Sequence, residues 1–146
     1  MPLFCFIFRH SETNEYVYHP INAFHLIKRA YAWIPKFSKW LPNHILQNYD
    51  ILNLSKQYLR ACHGLADIQE HFDLDPNDMA EGRIITNGRF NKIFAAYTSL
   101  DSEDLVNIAN EAKNVHYYDA SPKWLLAALR KAKQEHKSDI YIQKIR

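Results

Sequence analysis

The chain has 146 residues, 47% apolar and 14% aromatic, with only three glycines and six prolines. That length and content predict one packed domain over 1–146 and exclude a disordered or low-complexity chain. The formal net charge of +2 is too small to name a partner, and no stretch reaches the roughly 20 apolar residues of a membrane-spanning helix.

The charge is unevenly placed. Residues 1–64 carry a net +4, residues 65–82 hold six acids and no base, and residues 83–146 return to +4. The acidic connector reads as a solvated loop or as the answer to a basic surface within the fold. Cys5 and Cys62 lack the CxxC spacing of a metal or redox pair and read as buried thiols of a reducing compartment. The apolar opening has no basic start and no small-residue cleavage site. Together these features imply a cytoplasmic protein.

Residues 3–9 are apolar and β-rich, 11–14 are turn chemistry, and 15–19 can return as the second strand of an N-terminal hairpin. Pro20 suits a helix start, Phe24, Ile27, Tyr31 and Ile34 give that helix one apolar face, and Pro35 ends it. Pro42-Asn43 opens further helix, with a break near Asn53-Leu54-Ser55, a stop at Gly64 and a short helix over 65–72. Residues 73–78 are loop. Strands then flank Asn87-Gly88, the dipeptide preferred in a tight hairpin turn.

The last third alternates. Residues 92–97 are strand-like; Asp101 caps a helix from Ser102 to about Asn114, with Asp104 placed as in a capping box. Residues 115–118 are strand-like, Ser121-Pro122 opens a helix, and 140–142 alternate as a last strand. The expected fold is therefore α/β (or α+β): a mixed sheet with an N-terminal hairpin, a helical middle segment and a C-terminal β-α-β-α-β half.

That topology brings the loops after two parallel strands to one sheet edge, where ligands of open α/β sheets bind. Asp101 and Asp119 are then candidates to hold a divalent metal ion, and Ser99, Ser102 and Ser121 to meet a phosphate, although the same residue types cap helices without any ligand. No glycine-rich nucleotide fingerprint is present. In the connector, Asp73, Asp75, Asn77 and Glu81 imitate the start of a calcium loop, but Asp78 stands where the turn glycine belongs and Ile84 where the bidentate Glu belongs. Among eight histidines, His10 after Arg9 and His63 after Arg60 are the acid–base candidates, each with a guanidinium nearby.

Two surfaces read as binding rather than chemistry. Arg130, Lys131 and Lys133 decorate the last long helix, a pattern that tracks nucleic acid or simply keeps a helix wet. Trp33, Phe37 and Trp40 form an aromatic connector that either lids the core or binds a protein. The leading expectation is a small binding or regulatory protein whose partner is another protein or a nucleic acid, away from any membrane. The alternative is a metal- or histidine-dependent phosphodiesterase resembling a ribonuclease in its chemistry. Whether the chain is an enzyme stays open at this point.

Overall fold

The computed structural model describes residues 13–37, 40, 51–86 and 92–145; the expected strand over 3–9, Cys5, His10, the helix start at Pro42 and the Asn87-Gly88 turn lie outside them. In chain order the elements are α1 (Thr13–Tyr18), α2 (Pro20–Phe37), α3 (Ile51–Phe72), α4 (Pro76–Ala80), β1 (Arg83–Thr86), β2 (Lys92–Ala95), α5 (Ser102–Asn114), α6 (Ala120–Gln134) and α7 (Asp139–Ile145). The described residues are mostly helical, and their sheet is a single antiparallel hairpin pairing Arg83 with Ala95 through Thr86 with Lys92.

The expected mixed sheet and its β-α-β-α-β half are thereby corrected. Residues 115–118 do not form a strand: they are the turn between α5 and α6, with His116 in the left-handed region at φ 69°. That short turn folds α6 back along α5, so the two pack as an αα-hairpin. Residues 140–142 belong to α7, where Tyr141 and Ile142 are partly buried and Ile145 is buried, the three- and four-residue spacing of a helix face. Residues 15–18 lie in α1 rather than a return strand. Three alternating residues fit either period, and the packing decides.

The core centres on α5 and α6. Leu105, Ile108, Ala109 and Ala112 of α5 meet Trp124, Ala127, Ala128 and Ala132 of α6, all of them buried. Small residues on both helices let the two axes approach closely. Helix α3 packs on α5, and α2 on α3; α4 and α7 lean on α6. At Gly82, φ is 80° and an added Cβ would sit 2.9 Å from the Thr98 carbonyl oxygen, so glycine is required where the hairpin joins α4.

Gly64 is different. It does not stop a helix but lies inside α3, with nothing beyond the helix's own local backbone within 4 Å of where a Cβ would stand. Alanine there avoids glycine's backbone-entropy cost without a clash. Gly64→Ala should raise stability by about 0.5–1 kcal/mol, seen as a higher urea midpoint at unchanged slope. A lower midpoint would mean that α3 is broken at this position.

Candidate functional site

Helix α2 and the residue before it present His19, Asn22, His25 and Lys28 at three-residue steps, close to one helix face. This face meets the segment from Phe94 to Asp101. His19 Nδ1 accepts from the Ile21 N–H at 3.3 Å, capping α2, while its Nε2 reaches the Phe94 carbonyl oxygen at 3.1 Å. The buried Asn22 takes the Tyr97 N–H on its Oδ1 at 3.0 Å. Lys28 donates to Asp101 at 2.5 Å and to Asp104 at 2.8 Å. One helix face thus clasps β2 and the approach to α5 by polar contacts.

His25 sits inside that clasp with its Nε2 buried and unpartnered. Burial first, then the neighbouring Lys28 and Arg29, hold it below the ordinary imidazole value of 6.5, against an opposing pull from Asp101 and the Ser99 main chain. A folded-state value below the unfolded one means that folding favours the neutral ring. Its stabilisation is present above pH 6.5 and lost as pH falls from there through the folded-state value. Unfolding free energies of the wild type should therefore fall below pH 6.5 more steeply than those of His25→Gln; parallel profiles would place His25 outside the clasp.

The clasp holds an aromatic surface in place. Tyr16 of α1 stacks on Tyr97, with centroids 5.2 Å apart and planes at 23°. Around them Tyr18 is 81% exposed, Ile93 63%, Phe94 50% and Tyr97 65%, with Val17 also in solvent. The end of α1 and the segment from β2 to Tyr97 thus expose five large apolar side chains, with the consecutive Ile93 and Phe94 on opposite faces of the hairpin. A second aromatic group ends α2: Trp33 stacks on Phe37 at 5.7 Å beneath the Lys36 ammonium, and Trp40 is 84% exposed. The connector named from the sequence is therefore turned at least partly outward.

The candidate acids are not brought together. Asp101 and Asp104 form a capping box at the start of α5, and Lys28 bridges them. Asp104 is almost fully buried and also accepts from the Tyr58 hydroxyl at 3.2 Å, which in turn accepts from the Asn107 amide at 3.0 Å. Burial alone would push Asp101 up, but the Lys28 ammonium and the capping N–H hold it below its usual value. In Asp104, burial and the Asp101 charge outweigh Lys28, so its carboxyl stands above the usual value. This is a folding cluster with its charges already spent.

Asp119 stands before α6, at the far end of the α5–α6 hairpin and without a side-chain cap bond. The 13 residues of α5 separate it from Asp101, about 20 Å at helical rise. A single ion cannot touch both. Ser99 lies in the exposed loop before α5; Ser102 is buried and donates to Glu135 at 2.6 Å; Ser121 begins α6 at the distant end. These serines do not converge. No cluster of three or more His, Cys, Asp or Glu suited to a metal forms among the described residues.

His63 pairs instead with Asp67 at 3.2 Å, and Asp67 also accepts from the Tyr117 hydroxyl at 2.7 Å, tying α3 to the α5–α6 turn. Cys62 beside it is fully buried, and burial pushes its thiol up to about 12. It stays protonated at neutral pH and cannot serve as a nucleophile for His63. The acidic connector answers a basic surface within the fold in part. Arg83 pairs with Asp78 at 2.9 Å, Lys131 with Glu81 at 3.0 Å, and Arg130 reaches the Asn77 amide oxygen at 2.9 Å. Asp75 caps α4. Lys133 remains in solvent. No helix among the described residues is long and apolar enough to cross a membrane.

Comparison with known proteins gives one result. Residues 9–86 match the family model described as the N-terminal region of the prolyl 4-hydroxylase alpha-subunit, a stretch that runs through α1 to the end of β1. No curated protein and no solved structure matches the chain.

Proposed function

The chain belongs to the family of prolyl 4-hydroxylase alpha-subunit N-terminal regions, and from that premise we propose that it is a polypeptide-binding module that receives a proline-containing chain on its aromatic surface. The observation that carries this reading is the exposure of the aromatic residues Tyr18, Phe94 and Tyr97 beside the polar clasp of α2. A proline-rich chain adopts the extended polyproline helix before it binds, so little ordering entropy opposes docking, and its rings lie well against aromatic faces. Tyrosine adds a hydroxyl that can bond the ligand's unpaired carbonyls while its ring supplies contact area. The family name contributes the prolyl substrate of the hydroxylase; the surface contributes the chemistry that would hold such a chain.

A synthetic proline-rich peptide titrated calorimetrically into the full chain tests the proposal. We expect saturable binding that Tyr97→Ala weakens by roughly tenfold or more, as for an aromatic residue central to an interface. Binding that is absent from the wild type, or indifferent to both Tyr97→Ala and Phe94→Ala, would overturn it.

A further inference from the structure

Helix α6 is basic throughout: it carries Lys123, Arg130, Lys131 and Lys133 and no acidic residue. Lys131 is turned inward to Glu81. The other three lie in solvent with Leu126, itself 59% exposed. Lys123, Leu126, Arg130 and Lys133 are spaced by three, four and three residues, which puts them on one stripe about 15 Å long.

Helix stability does not account for this stripe. Cations in the last turn answer the helix dipole, and that covers Lys131 and Lys133. Lys123 lies near the N-terminal end, where a cation is unfavourable and an acid would be preferred. Within the protein the stripe is poorly answered too. Lys123 and Lys133 have no acidic partner among the described residues, and Arg130 commits one nitrogen to Asn77. Glu135, just beyond the helix, is occupied by the N–H and hydroxyl of Ser102. An exposed leucine between unpaired cations is the pattern of a surface awaiting an apolar anchor flanked by carboxylates.

We infer that the outer stripe of α6 is a docking surface for an acidic polypeptide segment that carries an apolar residue opposite Leu126. A protein partner is favoured over a nucleic acid by one feature of the stripe. The aromatic residue of α6, Trp124, is fully buried, so the stripe offers no platform for stacking bases. The stripe is independent of the aromatic surface of α1 and β2, and the two proposals stand or fall separately.

The test is fluorescence anisotropy on the full chain at physiological salt with three labelled ligands: a glutamate-rich peptide with a central leucine, the same peptide with that leucine replaced by glutamate, and duplex DNA. The leucine-bearing peptide should bind most tightly. The double variant K123E/K133E should lose roughly tenfold in affinity for it, and Leu126→Ser should abolish the preference for the leucine peptide over its all-glutamate form. Helical content by circular dichroism checks that each variant folds, and K123Q/K133Q, with the same expected direction, replaces the charge reversal if that variant does not. Tighter binding to DNA, no difference between the two peptides, or unchanged affinity in the lysine variants would each overturn the inference. Loss of proline-rich peptide binding by Tyr97→Ala should leave acidic-peptide binding intact, which separates the two surfaces.

Discussion

Trp124→Ala should lower the unfolding free energy by about 4 kcal/mol, the largest single effect expected in this protein. Trp124 is 0% exposed and lies at the junction of α6 with the α5 face built from Leu105, Ile108 and Ala109. Deleting its indole removes the transfer free energy of a large aromatic surface. It also leaves a cavity that the alanine-rich neighbours cannot refill, because Ala127, Ala128 and Ala132 have no longer side chain to offer. The buried indole N–H has no partner. Trp124→Phe removes that unsatisfied donor along with part of the volume, so it should cost much less than alanine. Urea denaturation of the three proteins checks the order. Equal losses for Phe and Ala would show that the ring volume does not hold the hairpin together.

The second large effect is at Lys28. Replacing it with methionine keeps most of the stem but removes the ammonium that bridges Asp101 and Asp104. Asp104, 1% exposed on its side chain, would keep only the Tyr58 hydroxyl and the capping N–H. Breaking a fully buried pair costs about 3–5 kcal/mol; here Asp101 is half solvated and Lys28 partly so, and about 2–3 kcal/mol at neutral pH is expected after that discount. Without Lys28 the Asp104 carboxyl moves further above its usual value. A folded-state value above the unfolded one makes the protonated form the stabilising one, so the penalty in Lys28→Met should shrink as pH falls into the carboxylate range. Adding Asp104→Asn should recover much of the loss at neutral pH. A double variant no more stable than Lys28→Met alone would mean that the cluster is not coupled in this way.

These clusters mark where sequence reasoning succeeds and where it stops. The α5 cap was legible because Asp101 and Asp104 are neighbours in the chain, and both halves of the capping box form. β1 and the helices from Pro20 and near Ser121 were legible for the same reason, their signals being local, whereas the strand expected at 89–91 lies outside the described residues and β1 pairs with Lys92–Ala95. Helix α2 nevertheless runs past Pro35, which falls in its last turn, and α3 runs through Gly64 because tertiary packing outweighs a helix-breaking propensity. Residues 115–118 and 140–142 were too short to fix a period. Reading both as strands placed Asp101 and Asp119 on one edge, whereas the αα-hairpin sends them to opposite ends.

The partners of the site were not local. Lys28 meets Asp101 across 73 positions, and His19 meets Phe94 across 75. Trp33, Phe37 and Trp40 are close in the chain and read as an aromatic group, whereas Tyr18, Phe94 and Tyr97 fall in segments that read as strands of a larger sheet. One signal could have found them: an isolated two-stranded hairpin cannot bury both faces, so an apolar β2 must expose part of its side-chain row.

Amide chemical-shift mapping during titration with a proline-rich peptide tests most directly whether a proline-containing chain docks on the α1–β2 surface. The largest shifts should fall on Tyr18, Ile93, Phe94 and Tyr97, with α6 little affected. Shifts confined to α6, or to the Trp33 end of α2, with the α1–β2 amides unmoved, would contradict it.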